Sequence, residues 1–408
     1  MKDYDFILAG GGAAGLSLAL RLLNSPLKER SILIVDQDSK DCDDRTFGYW
    51  TRRGTPFDHV AGHSWERLRF AGETTDGRGF STVTKLGDYR YHMLRGLDLY
   101  RYARREISAH SNVDFLLGRV SAVQDGPEWA LVRVGERRYA AQWVFDSISP
   151  PARQDVDSRR YHYLRLLFKG WEIETQEASF DSLTPTLMDF RTPQKEDARF
   201  FYLLPYSPNR ALVEYTLFTK SRPDGCQYQQ AMQIYIRDTL GIDQFRIVKE
   251  ESGGLPVSDQ PVTRRRGQRV LAIGANGGML KPTTGYAFTR IQRDSQAIVE
   301  SLLRSGHPFD IPGGSSLYRA LDAILLEVMA AQGERIKPVF SDLFRNNPIQ
   351  RILRFLDEEA SLVEVLALMA SLPVGLFLET MARSKKLRRM WIGSPRNPAI
   401  NEAGSHTT

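Results

Sequence analysis

Tyr4 to Asp36 reads YDFILAGGGAAGLSLALRLLNSPLKERSILIVD, and this stretch decides the fold. Tyr4 to Ala9 is a short apolar strand, Ala14 to Leu23 has helical spacing, and Ser31 to Val35 is a second, β-branched strand that ends on Asp36. That order opens a parallel, doubly wound sheet. Between strand and helix stands Gly10-x-Gly12-x-x-Gly15, whose glycines permit a tight turn and let backbone amides approach a pyrophosphate at the helix N-terminus, while the Asp36 carboxylate can hold ribose hydroxyls. Gly10, Gly12, Ala13, Ala14, Gly15 and Asp36 are therefore the candidate nucleotide-binding set. The fingerprint alone does not choose between FAD and NAD.

A second glycine-rich stretch, GANGGMLKPTTGYAF from Gly274 to Phe288, follows a strand at Arg269 to Ile273 and precedes a helix at Thr289 to Leu303. A small-residue turn with Gly274, Gly277, Gly278 and Gly285 suits a backbone cradle against the ribityl chain and ring system of a flavin. The alternative is one more strand-to-helix loop of the sheet. Between the two glycine loops, the segment from Arg67 to Arg95 is rich in glycine and aromatics and reads as an excursion to another layer. Asp98 to His110 reads as a helix, and Asn112 to Leu116, Ala130 to Val134 and Tyr139 to Phe145 as strands. From Tyr161 to Pro256 the texture is strand-like and aromatic, with runs at Tyr161 to Phe168, Phe200 to Leu204 and Ala211 to Leu217.

The expected architecture is thus α/β. A Rossmann-like nucleotide domain is built from residues 1–68, 96–155 and 262–308, with an inserted antiparallel-sheet substrate domain at 69–95 and 156–261. A helical region follows at 309–390, and a polar tail at 391–408 is expected to be disordered.

Composition sets the outer limits. With 408 residues the chain can bury a core of ordinary size, and its two cysteines, Cys42 and Cys226, form neither a CxxC pair nor a disulfide framework. The seven histidines show no metal-ligand spacing, no GxSxG elbow is present, and no metal is expected. The net charge of +6 and a pI of about 9.2 come without the basic stripe of a nucleic-acid module. The N-terminus lacks the pattern of a secretory signal, so a cytoplasmic protein is expected. No window of 18 uninterrupted apolar residues exists. The nearest, Leu362 to Ala382, is broken by Glu364, Pro373 and Glu379 and reads as two helical pieces, buried or lying at an interface.

Five stretches carry a specific resemblance: DRTFGYW (Asp44 to Trp50), FFYLLPYSPNRALVEYT (Phe200 to Thr216), EESGGLP (Glu250 to Pro256), GGMLKPTTGYAF (Gly277 to Phe288) and FLDEEASLVEVLALMASLP (Phe355 to Pro373). In content and order they resemble the lycopene beta-cyclase family of bacterial and plant type, over nearly the whole chain. Phe47 and Gly48, where that family more often has Trp and Cys, and Asn276 in the second loop are departures.

The resemblance implies an FAD-binding fold of the glutathione-reductase and hydroxylase type. It also implies a non-redox, proton-initiated closure of rings at the ends of a linear polyene such as lycopene. The FAD would be used in its reduced form, with NAD(P)H as reductant. A redox flavoprotein on the same scaffold, a monooxygenase or polyprenyl reductase, is the alternative, and a non-catalytic flavin or lipid carrier is a third reading.

Glu214 matches the family's acid. On a strand it shares a face with Leu212 and Thr216, with Val213 and Tyr215 turned away. Judged by spacing alone, such a Glu is more often a surface or ion-paired residue. Protonating an alkene needs a neutral carboxylic acid, and burial among apolar groups raises a Glu pKa toward that state. Asp189 matches a second acidic position, as a hydrogen-bonding support for Glu214 or simply a loop Asp at a turn. Arg45 is a further candidate beside the flavin, and Trp50, Tyr286 and Phe288 are candidate substrate walls. A polyene substrate implies work at a membrane surface, and Leu362 to Trp391, with Lys385, Lys386, Arg388 and Arg389, is the expected peripheral attachment segment. Other enzymes of the same pathway are further candidate partners.

Overall fold

The computed structural model describes residues 2–148, 156–221 and 225–392. The tail from Gly393, expected to be disordered, lies outside the described residues. In chain order the first elements are β1 (Lys2–Ala9), α1 (Ala13–Leu23), β2 (Ile32–Asp36), β3 (Thr46–Thr51), β4 (His63–Trp65), β5 (Arg67–Glu73), β6 (Gly79–Lys85), β7 (Arg90–Arg95), α2 (Gly96–Ser108), β8 (Val113–Leu117), β9 (Val120–Gln124), β10 (Ala130–Val134) and β11 (Arg137–Asp146). There follow β12 (Tyr163–Glu174), β13 (Thr186–Asp189), β14 (Ala198–Ser207), β15 (Arg210–Thr219), α3 (Gly225–Ile234), β16 (Arg246–Ser258), β17 (Val270–Ala272), α4 (Phe288–Ser305), α5 (Ser316–Ala331), α6 (Ile336–Asn346), α7 (Ile349–Leu356), α8 (Leu362–Ala370), α9 (Val374–Arg383) and α10 (Lys385–Ile392).

The first sheet has seven strands in the order β8-β2-β1-β11-β10-β9, with β17 also paired to β11. Its centre is parallel, β1 lying between β2 and β11. Phe6, Ile7, Leu8 and Ala9 are buried in succession rather than in alternation, as a strand covered on both faces requires. Helices α1, α2 and α4 pack one face, with Leu16, Leu20, Leu99, Ile107, Ile298 and Leu302 in one apolar cluster.

The second sheet, also of seven strands, runs β16-β12-β15-β14-β13-β5-β6 and is antiparallel except at β13–β5. The excursion read at Arg67 to Arg95 divides: β5 and β6 join this sheet, whereas β7 pairs with β3 and β4 in a separate three-stranded sheet.

The two faces of β15 meet different cores. Val213, Tyr215 and Leu217 pack with Met232, Tyr235 and Ile236. Leu212 belongs to the cluster that reaches across to Trp50, Tyr91 and the C-terminal helices. The helix α3 was not expected in a region read as strands. Met232 is its one buried residue, and Tyr235 and Ile236 sit on the π-helical turn after it, too sparse an apolar stripe to give a helical period.

Candidate active site

The turn after β1 is built by close approach. Gly10 has φ +117°, and a Cβ there would lie 2.0 Å from Ser147 Oγ. A Cβ on Gly15 would lie 1.9 Å from the Gly10 carbonyl oxygen, so only glycine lets the helix start this close to the turn. Gly12, the N-cap of α1, is different: a Cβ there meets nothing within 4 Å. It borders open space, and α1 begins with neither a side-chain cap nor an acidic residue in its first turn. Such a helix end offers amides and the positive end of its dipole to an anion. Asp36 closes the turn, its Oδ2 accepting from Gly11 N at 2.7 Å and its Oδ1 from Asp38 N at 2.9 Å. A cavity of about 370 Å³ opens beside it, lined among others by Gly11, Leu16, Asp36, Lys40, Arg104 and Phe115. A larger concavity of about 770 Å³, lined by the end of β8, the turn after it and parts of β9 to β11 around Leu117, Arg119 and Arg133, contains none of the candidate residues.

The second glycine loop meets the first. A Cβ on Gly274 would lie 2.8 Å from Ala14 Cβ, so this strand-to-helix turn sits against the start of α1. Gly277 closes on the Ala272 carbonyl and Gly278 ends the short helical turn with φ +79°. Gly285 turns the chain at φ +78° against Leu166 and delivers Tyr286 to the second sheet. What holds the loop is a buried cation: Lys281 Nζ donates to Asp322 at 3.0 Å and to Glu358 at 3.1 Å, and Glu358 also takes Arg290 at 2.6 Å. Arg45, on the way into β3, is paired with Asp44 at 2.6 Å, and Asp44 accepts the Tyr100 hydroxyl at 2.9 Å.

Glu214 stands on the other sheet, in register with Gly170 on β12 and Tyr202 on β14. Tyr91, Tyr202 and Tyr286 surround it closely enough to feel its charge. The hydroxyls of Tyr202 and Tyr286 are 3.0 Å apart, and Trp50 meets Tyr286 edge to face at 4.6 Å between ring centroids. Trp50 is fixed by its indole N–H, which donates to Asp357 at 2.8 Å. Gly48, one of the departures from the family pattern, leaves room for the Tyr91 hydroxyl, which would lie 2.4 Å from a Cβ there.

Glu214, Tyr202 and Tyr286 are half-buried, each keeping a partial surface although protein surrounds them, and that shared surface is the candidate cleft. Its walls are aromatic and apolar. Burial pushes the Glu214 carboxyl well above the ordinary carboxylate range, and the neighbouring charge of Glu251 pushes the same way. Burial also keeps the three tyrosines protonated.

Glu251 was not singled out by sequence reasoning, although it lies in the quoted EESGGLP. It reaches Glu214 across Gly170, since Gly170 pairs with Glu214 on one side and with Glu251 on the other. A Cβ on Gly170 would lie 3.0 Å from both Glu251 Cγ and Leu212 Cδ1, so the missing side chain is what lets the two carboxyls meet. Thr46 donates to Glu251 Oε2 at 3.0 Å and Lys249 approaches the same oxygen at 3.6 Å. Gly170, Tyr91 and Tyr202 were likewise missed. Two neighbouring strands, read separately, carry no sign of their register.

Two expectations are corrected. Asp189 does not support Glu214: it is in register with Phe201, which pairs with Tyr215, and so lies on the opposite face of the sheet. There it accepts from Arg191 Nη2 at 2.6 Å and from the Tyr235 hydroxyl at 2.8 Å. Phe288 is not a wall of the cleft. It is buried at the start of α4 against Tyr49 at 4.4 Å and Phe47 at 5.4 Å, within the core beneath α1 and α4. Among the described residues, no group of three His, Cys, Asp or Glu is placed to hold a metal ion.

Compared with known proteins, residues 5–382 match the sequence model of the family described as lycopene cyclase protein. The chain is 23% identical over 338 residues to a chloroplastic neoxanthin synthase of Solanum tuberosum, covering 78% of this chain and 64% of that protein. It is 25% identical over 307 residues to lycopene beta-cyclase of Pantoea ananas, covering 70% and 71%. Among solved structures it resembles a geranylgeranyl bacteriochlorophyll reductase-like protein of Thermoplasma acidophilum, with TM-score 0.58, 11% identity and coverage of 94% and 99%. It also resembles a mutant of halogenase PltM solved in complex with FAD, with TM-score 0.57, 12% identity and coverage of 92% and 85%. At these identities the structural likeness is one of fold, and it is the Rossmann-like fold with an added sheet and C-terminal helices.

Proposed function

The chain belongs to the lycopene cyclase protein family, and on that premise we propose that it binds FAD and closes rings at the ends of a linear, apolar polyene such as lycopene, without net oxidation, at a membrane surface. The observation that carries the reading is Glu214: a carboxyl pushed by burial toward its neutral form, beside the half-buried Tyr202 and Tyr286, with Trp50 buried against Tyr286.

The cofactor's fit rests on the turn at Gly10, Gly12 and Gly15, on Asp36, and on the loop at Gly274 to Gly285 that meets α1. Held by these residues, FAD in its reduced form, with NAD(P)H as reductant, would supply an electron-rich ring to the chemistry. The rest of the chemistry belongs to this chain. Glu214 holds the proton that the terminal double bond receives. The next double bond then attacks the tertiary cation to form the ring, and loss of a proton gives the cyclic end group. Aromatic faces stabilise such a cation more strongly once water is excluded, and the half-buried Tyr202 and Tyr286 provide them, with Tyr91 and Trp50 buried behind. Phenols that stay protonated add no competing base. The exposed apolar pair α8 and α9 is the docking element toward lipid.

The test is expression in cells that accumulate lycopene, followed by pigment analysis, with Glu214→Gln beside the wild type. A positioned general acid is typically worth about 100-fold to 10,000-fold, and an alkene, being a poor base, belongs at the upper end. The variant should keep its flavin and lose ring closure to that degree. Near-normal cyclisation by Glu214→Gln would refute its role, and reductant consumed one-to-one with product would favour a monooxygenase or reductase.

A further inference from the structure

We propose that Glu214 and Glu251 act as one acid holding a single proton between them, with Glu251 as the positioning residue whose carboxylate keeps that proton on Glu214. The proposal rests on the cyclase reading for the use of the proton, and on geometry for the pair itself.

Three observations carry it. The first is construction: β12 separates the strands bearing the two carboxyls, and it puts glycine at the one position, residue 170, where a side chain would stand between them. The second is the asymmetry of partners. Glu251 has Lys249 and the Thr46 hydroxyl, and Lys249 is itself held by Asp43 at 2.6 Å. Glu214 has the Thr216 hydroxyl at 3.2 Å, and among the described residues no basic side chain pairs with it. The negative charge therefore belongs on Glu251 and the proton on Glu214. The third is an orphan: Glu251 Oε1 is buried and receives no hydrogen bond from any N–H or hydroxyl of the protein. It points toward the gap, 3.5 Å from where a Gly170 Cβ would sit. A buried acceptor without a donor is costly, and the donor at hand is the O–H of a protonated Glu214.

In turnover the Glu214 O–H bond breaks as the new C–H bond forms, which leaves two adjacent carboxylates. Their repulsion in a dry cleft drives the return of one proton. The proton released as the product double bond forms supplies it, so that the pair begins and ends each cycle with one proton and no electrons are exchanged. The groups facing the pair are Tyr91 from β7, Tyr202 and Tyr206 from β14, Tyr286 from the second glycine loop, Thr46 from β3, Asp43 from the loop before it, Thr216 on β15 and Lys249 on β16.

Infrared spectroscopy of the FAD-loaded enzyme, titrated in H2O and D2O, tests the pair independently of cyclisation. The wild type should show a protonated-carboxyl band that persists above the ordinary Glu range, and Glu214→Gln should abolish it. Glu251→Gln removes the like charge and offers Glu214 an amide donor, so the band should titrate lower by about one to three pH units. The upper pH limit of cyclisation should move down with it, and Glu251→Asp, which keeps the charge, should restore part of the wild-type profile. Gly170→Ala is the second route to the same result, prising the carboxyls apart without altering either. A band unchanged in Glu214→Gln, or profiles unmoved in Glu251→Gln and Gly170→Ala, overturns the shared proton while leaving the cyclase reading intact. A normal band in an enzyme that makes no cyclic product overturns the cyclase reading and leaves the pair standing.

Discussion

Binding to lipid should be lost in proportion to apolar area removed from one hairpin. Leu362, Val363 and Leu366 on α8 and Val374 and Leu378 on α9 are 48–76% exposed, while Val365 and Leu368 of α8 and Thr380 of α9 are buried inward. The two helices meet at 95°, and no single helix is long and apolar enough to cross a bilayer, so the pair forms a wedge rather than a straight span. Burying a Leu or Val fully is worth about 1.5–3 kcal/mol. At these exposures the five side chains hold about three such burials in reserve, roughly 5–9 kcal/mol before the loss of freedom on binding. Leu366→Ser alone should weaken partitioning about 5-fold to 30-fold, and Leu362→Ser, Leu366→Ser and Leu378→Ser together by roughly 100-fold or more. These side chains face solvent, so thermal unfolding of the variants should stay near that of the wild type. The assay is liposome flotation with neutral and anionic vesicles. The apolar variants should lose binding to both. Neutralising exposed Lys385, Arg388 and Arg389 should lose binding only to anionic vesicles, at about 1 kcal/mol per charge. Lys386 matters less, because its Nζ donates to the Tyr161 carbonyl at 3.0 Å. A triple Leu variant that floats as well as the wild type would refute the wedge.

Three further outcomes are expected. Gly12→Val should fold normally, since its Cβ meets no protein atom within 4 Å and its φ of −84° suits any residue, yet the purified protein should retain no FAD by chromatography after heat release; full retention would remove the pyrophosphate from that turn. Lys281→Met should leave Asp322 and Glu358 without their shared cation, a loss of about 3–5 kcal/mol that thermal unfolding would register, together with weaker flavin retention; an unchanged melting temperature counts against the anchor. His162 lies between Asp259, at 2.7 Å, and Glu327. Burial lowers its pKa, but the two acids together raise it above 6.5. Its contribution to stability is therefore complete below pH 6.5 and is lost as pH rises through the raised value. His162→Asn should flatten that part of the pH–stability curve, and parallel curves for variant and wild type would count against it.

How far the fold could be read in advance depended on how local each signal was. The first β-α-β unit was legible because its glycines, its helix and Asp36 act within one short stretch, where sterics alone dictate the turn. The alternation around Glu214 was legible for the same reason: Leu212 does face one core, and Val213 and Tyr215 the other. What alternation could not tell was which residues stand opposite. Gly170, Glu214 and Glu251 become neighbours through register across three strands, and a slip of one residue would turn Glu214 to the far face. The same lack placed Asp189 beside Glu214 in the reading, although its strand presents it to Tyr235. Phe288 was misread because an aromatic at a helix start after a glycine loop serves a core and a cofactor equally well in sequence.

One short turn links the residues around Trp50 to the exposed apolar pair α8 and α9. Asp357, Glu358 and Glu359 end α7, with Glu358 in the left-handed region at φ +61°. Asp357 accepts the Trp50 indole at 2.8 Å and the Thr289 hydroxyl at 3.2 Å. Glu358 takes Lys281 and Arg290, and Glu359 lies 3.7 Å from Arg52 and 3.6 Å from Arg293. Two residues further on, Ser361 and Glu364 close the capping box that starts α8. The aromatic wall at Trp50 and Tyr286, the second glycine loop and the first turn of the exposed hairpin are therefore tied to the same three carboxylates. Non-helical backbone strain of this kind persists only where its surroundings over-determine it, and here six charged or polar partners do so. Because Asp357 holds the Trp50 indole and Glu358 holds Lys281 within two residues of the cap that starts α8, the footing of α8 and the aromatic cluster beside Glu214 share one set of partners.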